Sequence, residues 1–482
     1  MSPILVASII GGYFAVLILI SYLTSRHANE ESFYTANRNS PWYLVAFGMI
    51  GASLSGVTFI SVPGEVGASF WYYFQMVLGY LVGYLVIGTI LLPLYYKMKL
   101  VSIYTYLESR FGFHSYKTGA FFFLLSRVVG AAFRLFLVAG VLQIAFFDAY
   151  GLPFSVSVAA TILLIWIYTF RGGIKTIVYT DALQTAFMLL AVVVSIAFIK
   201  NEMELSWTQL VTNIVADQRS TIFNWEWTHS RFFLKQFFAG AFIAIVMTGL
   251  DQDMMQKNLT CRSLREAQKN MFWFSLSLIF VNLLFLSLGV LLYQYAGYQE
   301  IIMPERTDYL FPQLAINHFS ALGGVVFLLG ITAAAYSSAD SALTSLTTSF
   351  CVDILEFKKE NFEAKKRLKT IVHLSFSIIL FLVILAFNAI NDTSVINSIF
   401  TAAGYTYGPL LGLFAFGIFT PWSVKDRFVP LVGVLSPALA YLLNINSDWL
   451  LAGYKFGFEI LIVNGLITFS GLWLLRTKAP VQ

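Results

Sequence analysis

What constrains this chain most is the recurrence of apolar windows roughly 20 residues long, the length a helix needs to cross the hydrocarbon core of a bilayer. They fall near 3–24, 43–61, 72–96, 118–147, 153–170, 177–199, 234–256, 270–296, 320–355, 369–390, 395–419, 428–444 and 450–475. Only 11% of the residues are charged and 58% are hydrophobic, which excludes a soluble domain. In hydrocarbon a helix satisfies its own backbone. The expectation is therefore an all-α polytopic membrane protein of about 13 transmembrane helices, with residues 1–482 forming a single transmembrane domain in the lipid bilayer.

Basic residues give the orientation, because Lys and Arg accumulate in cytoplasmic loops. One alternate set of connections holds Arg26 and Arg38; Lys97, Lys99, Arg110 and Lys117; Arg171 and Lys175; Lys257, Arg262, Arg265 and Lys269; Lys358, Lys359, Lys365, Lys366, Arg367 and Lys369; Lys425 and Arg427; Arg476 and Lys478. The opposite set holds only Lys200, Arg219, Arg231, Lys235, Arg306 and Lys455. This predicts a multi-pass protein of the cell (inner) membrane, with its N-terminus outside and its C-terminus cytoplasmic. The net charge of +5 follows from the same bias and implies no nucleic-acid partner. The first window lacks a basic n-region and a small-residue cleavage site, so it reads as a retained span. Cys261 and Cys351 fall on the cytoplasmic side, with a spacing that suggests neither a disulfide nor a metal site.

Chemistry is expected where polar groups enter the apolar windows. Residues 331–349, ITAAAYSSADSALTSLTTS, place Ser337, Ser341, Ser345 and Thr348 on one helical face, with Ser338 beside it. Such hydroxyls either bond carbonyls one turn back and let helices pack closely, or form a cage of oxygens for a small hard cation. The second window, FGMIGASLSGVTFISVPGEVG, is interrupted by Gly48, Gly51, Gly56, Pro63 and Gly64. The seventh carries Gly240 and the run MTGLDQD around Gly249. Paired broken helices in corresponding positions of two repeats mark binding sites in membrane carriers. Counted from the cytoplasmic end, Ser53, Leu54, Asp181 and Ser337 to Ser341 all lie roughly 10–20 Å deep at 1.5 Å per residue. An intramembrane carboxylate such as Asp181 is costly unless it is paired, hydrogen-bonded or bound to a cation.

GASLSGVTFISVPG at 51–64, YTFRGGIKTIVYTDALQ at 168–184 and AAAYSSADSALTSLTTS at 333–349 resemble segments of the sodium:solute symporter family, which includes carriers of proline, galactose, sialic acid, pantothenate and iodide. The resemblance implies a LeuT-type five-plus-five inverted repeat. The extra first helix is 3–24, the first repeat 43–200, the second repeat 234–419, and two C-terminal helices fill 428–475. It also implies a main sodium site made by backbone carbonyls of Gly51, Leu54 and Ala334 and hydroxyls of Ser337 and Ser338. Some members, sialic-acid carriers among them, bind a second sodium at positions matching Asp181, Ser337, Asp340 and Ser341. Here Asp340 stands where those members have a hydroxyl, so the number of sodium ions stays open.

For the solute, the resemblance points to Ser53, Ser55, Thr58, Tyr73 and Gln75. It also points to an arginine on the fourth helix that reads a carboxylate, either Arg134 or Arg127, with Arg134 favoured. A guanidinium fork suits a carboxylate, and a salt bridge to Asp181 or Asp340 would also explain either residue. Val77, Ala244 and Met247 depart from the sugar and sugar-acid branches. Asp251 and Asp253 suit an inner gate or a hydrated loop, and Tyr405 and Tyr407 an outer gate or plain packing. No H-E-x-x-H or G-x-S-x-G occurs, so no enzyme and no catalytic residue is expected. The sequence predicts a sodium-coupled symporter, working as a monomer, for a small polar solute. A sugar acid is the leading candidate, a neutral sugar or polyol the alternative, and a sodium channel the third possibility.

Overall fold

The computed structural model describes residues 3–25, 38–100, 102–169, 174–357, 366–390 and 394–477. The chain is almost entirely helical. Its main helices are α1 (Pro3–Ser25), α2 (Trp42–Ser69), α3 (Tyr73–Val86), α4 (Phe113–Leu142), α5 (Phe154–Thr169), α6 (Ile174–Glu202), α7 (Phe233–Ala244), α8 (Gln252–Asn258), α9 (Leu264–Tyr298), α10 (Ala321–Ser349), α11 (Lys366–Ile390), α12 (Val395–Thr406), α13 (Gly408–Phe419), α14 (Val429–Ile445) and α15 (Ile460–Leu474). Among the described residues, eight helices are long and apolar enough to cross a membrane, and ten if two bent pairs each count as one span. One of the eight, Trp42–Met98, contains two expected windows, separated at Phe70, whose φ is 53°. The shorter apolar helices Phe154–Trp166 and Ile460–Leu474 occupy two more. A short antiparallel ladder joins Ser423–Val424 to Arg476–Thr477 beyond α13.

Both interruptions read from the sequence are present, and the structure fixes where they fall. In α2 the helix breaks at Ser55 (φ 45°, ψ 175°), one residue before Gly56, while Pro63 and Gly64 remain helical. A helix ending at residue 54 leaves the carbonyls of 51–54 without partners in their own helix. Those four include Gly51 and Leu54. In the seventh window the chain turns by 72° between Phe233–Gly249 and α8. Asp251 caps the new helix by accepting the N–H groups of Asp253 (3.0 Å) and Met254 (3.2 Å). Helices α12 and α13 meet at a 48° bend beside Gly408.

α2, α6 and α10 pack against one another and form the core on which the site is built. Gly51 is required there by close approach, since a methyl group at that position would lie 2.2 Å from Thr185 Oγ1 on α6. α3 and α7 pack as tightly: a Cβ on Gly240 would stand 2.2 Å from the carbonyl oxygen of Met76. Small residues of this kind let membrane helices associate where the hydrophobic effect gives no drive.

Candidate functional site

The hydroxyl face of α10 meets Asp181 of α6 in the protein interior. Ser337 Oγ donates to Asp181 Oδ1 at 2.9 Å. One turn along α6, Thr185 Oγ1 donates to the Asp181 carbonyl (2.8 Å) and accepts from the N–H of Gly51 (3.0 Å). The broken end of α2, the carboxylate of α6 and the serines of α10 are thus linked through consecutive hydrogen bonds. Ser338 Oγ reaches the Ala334 carbonyl only at 3.5 Å, a loose contact that leaves its lone pairs and that carbonyl able to face a cation. Ser337 and Ser338 are at most 1% exposed. Carbonyl and hydroxyl oxygens without sulfur or imidazole form the donor set a small alkali cation takes.

Of the residues expected around a second cation, Asp181, Ser337 and Ser341 are brought together, with a feature the sequence did not suggest. Asp181 Oδ2 accepts from Lys257 Nζ of α8 at 2.8 Å, and both side chains are almost wholly buried. Ser341 Oγ turns back to the Ser337 carbonyl at 3.2 Å. The side chain of Asp340 lies outside the described residues.

Beside this cluster lies a cavity of about 80 Å³, room for several water molecules. Ser53, Ser55, Thr58, Tyr73, Arg127 and Arg134 all line it. The two arginines differ in their partners. Arg127 is held by Asp253 (2.5 Å) and Asp251 (3.6 Å), and Tyr407 donates to Asp251 (3.2 Å). Arg134 has no carboxylate partner among the described residues, while the Nε of each arginine is buried without a hydrogen bond. The internal salt bridge foreseen for either arginine is therefore made by Arg127, to the α8 aspartates rather than to Asp181.

Gln75 does not join this wall. Its Nε2 donates to the carbonyls of Tyr72 and Arg231, and its Oε1 accepts the N–H of Asn224, so the amide braces the loop around 224–231. Helical geometry explains the difference: Tyr73, Tyr80 and Tyr84 share one face of α3, and Gln75, two residues from Tyr73, points some 200° around the axis. Tyr405 and Tyr407 do not form an outer gate either. Tyr407 lies with the Arg127 and Asp251 group, and Tyr405 accepts from Asn444 (2.7 Å) and packs edge-on to Tyr441. Asp251 and Asp253 are both buried and ion-paired to Arg127, which itself lines the cavity.

A second ion-paired cluster was missed by sequence reasoning. Arg231 donates to Glu65 (2.6 Å), which also accepts from Asn397 (3.0 Å), so the C-terminal part of α2, the loop before α7 and α12 are tied together. Beneath this triad Tyr73 stacks on Phe400, with centroids 6.2 Å apart. Also missed were Thr248, Tyr84 and Asn282 on the cavity wall. Asn282 is 1% exposed; its Nδ2 bonds the Leu278 carbonyl and its Oδ1 has no partner. An asparagine inside the apolar run of α9 was the visible signal.

Two broken helices and an oxygen cluster beside an internal cavity are the features of a secondary transporter with the LeuT-type arrangement. The family described as "Sodium:solute symporter family" matches residues 33–425. The chain belongs to that family, whose members are transporters rather than enzymes, and it is a sodium-coupled symporter. It is 25% identical over 419 residues to the sodium/sialic acid symporter NanT of Aliivibrio fischeri, covering 84% of this chain and 81% of that protein. It is 22% identical over 448 residues to the sodium/sialic acid symporter SiaT of Proteus mirabilis (90% and 88% covered). The human sodium/iodide cotransporter is 23% identical over 85% of this chain and 66% of its own length. Among solved structures, a substrate-bound, outward-open Na+-coupled sialic acid symporter superposes with a TM-score of 0.82 at 20% identity, over 98% of this chain and 99% of that one. The closed form of Mhp1, a nucleobase-cation-symport-1 transporter with bromovinylhydantoin bound, superposes with a TM-score of 0.54 at 13% identity, over 93% and 96%. Both share the fold.

Proposed function

We propose that the chain imports a small sugar acid, of the kind sialic acid represents, together with sodium by alternating access. The observation that carries this reading is Arg134: a guanidinium on the cavity wall with no carboxylate partner among the described residues, beside a neighbouring arginine ion-paired to two aspartates. An unpaired charge is expensive at membrane depth. An anionic solute would supply the missing counter-charge. Ser53, Ser55, Thr58 and Tyr73 then face its hydroxyl groups. Relatives named for sialic acid transport support the same class of solute.

In this reading sodium sits among the carbonyls of Gly51, Leu54 and Ala334 and the hydroxyls of Ser337 and Ser338. Its binding bridges the broken end of α2 to α10 and so shapes the adjoining cavity. The gate at Glu65, Arg231 and Asn397 faces outside, and the gate at Arg127, Asp251 and Asp253 faces the cytoplasm. The repeats span 43–200 and 234–419, and the protein works as a monomer in the cell (inner) membrane with its N-terminus outside. Purified protein in liposomes tests this directly. A labelled sugar acid should accumulate only under an inward sodium gradient, and an excess of neutral sugar should not compete. Accumulation of neutral sugars or polyols with no response to sugar acids would replace this reading with the neutral-solute alternative.

A further inference from the structure

We infer that Lys257 is a built-in cation that takes the place of a second sodium, so that the transporter binds a single sodium ion. This rests on the sodium-symport reading above. Asp181 has two carboxylate oxygens, and both are engaged: Oδ1 by the Ser337 hydroxyl and Oδ2 by the Lys257 ammonium at 2.8 Å. Lys257 is 2% exposed and Asp181 1%, so neither charge is shared with water. A sodium ion on Asp181 would sit within a few ångströms of an ammonium ion, in a medium that screens their repulsion poorly. The described residues at this position do not fit a second free sodium while Lys257 is present.

The placement of Lys257 gives the pair a mechanical sense as well. It stands near the end of α8, the short helix set off by the 72° turn after Gly249, whereas Asp181 belongs to the long α6. A free ion would leave with the solute at each turnover. The tethered ammonium stays, holding α8 to α6 without adding to the number of ions carried. With one sodium for each monovalent anion, a transport cycle moves no net charge.

The experiment is to count sodium ions bound to purified protein with labelled sodium, which needs no knowledge of the solute. The wild type should saturate at one ion per chain with a Hill coefficient near 1. Lys257→Gln should open the position beside Asp181, giving two ions per chain and a Hill coefficient approaching 2, while Lys257→Arg should stay at one. Should Lys257→Gln fail to fold, the charge-neutral double variant Asp181→Asn with Lys257→Gln avoids an unpaired buried charge. It should still bind one ion, at the main site. Two ions in the wild type would overturn the inference, as would loss of all sodium binding from a folded double variant. No sodium bound to the folded wild type would instead refute the sodium site on which the inference rests.

Discussion

Arg134→Lys separates a guanidinium that reads a carboxylate from one that merely fills space. The cavity presents this side chain beside Ser53, Ser55 and Thr58 and gives it no protein carboxylate among the described residues, so the solute would be its principal partner. The fork of an arginine meets both oxygens of a carboxylate; an ammonium keeps the charge but meets them along a single direction. A hydrogen bond to a charged group contributes about 1.5–3 kcal/mol, so loss of one arm should weaken a sugar acid by about ten- to hundredfold. Calorimetric titration of the purified variant in sodium buffer measures this. A neutral sugar of the same ring size should lose little. Arg127→Lys is the control, because Arg127 is held by Asp251 and Asp253, and its replacement should lower the melting temperature more than the solute affinity. Sugar-acid affinity within twofold of the wild type for Arg134→Lys, or an equal loss for the neutral sugar, would refute the reasoning.

Ser338→Ala removes one of five proposed sodium ligands, and sodium titration of uptake should show the half-saturating concentration raised about tenfold, with solute affinity at saturating sodium unchanged. Gly51→Ala places a methyl group 2.2 Å from Thr185 Oγ1, and overpacking of this kind costs about 1–3 kcal/mol. Its melting temperature should fall by several degrees, and Thr185→Ala in the same protein should recover part of the loss. Asn282→Leu removes a buried amide whose Oδ1 is unpaired, so binding assays should show weaker solute binding while thermal melts show stability unchanged or raised.

Much of the fold was legible because the bilayer constrains sequence so strongly. The apolar windows, the glycines around 48–56 and the hydroxyl-rich stretch 331–349 are local signals, and each corresponds to a helix, a break or a polar face in the structure. Ser55 shows the limit of that reading: the sequence marked the region, while the break itself depends on how α2 packs on α6 and α10. The ion pairs were not legible. Lys257 meets Asp181 and Arg127 meets Asp253 across 76 and 126 residues of chain, and no periodicity within one helix reports the rotation of another. Gln75 was misplaced for the same reason, because membership of the right helix does not give the right face. Glu65 and Arg231 lie 166 residues apart in the chain, and the fold sets them at 2.6 Å.

The most direct test of sodium-coupled uptake of an anionic sugar is calorimetric titration of a sugar acid into purified protein in sodium and then in potassium. Saturable binding in sodium that vanishes in potassium, and that Ser337→Ala or Ser338→Ala shifts to higher sodium, is the predicted result. Equal affinity in both salts would contradict the account, because the oxygens of α2 and α10 would then be structural rather than coupled to the solute.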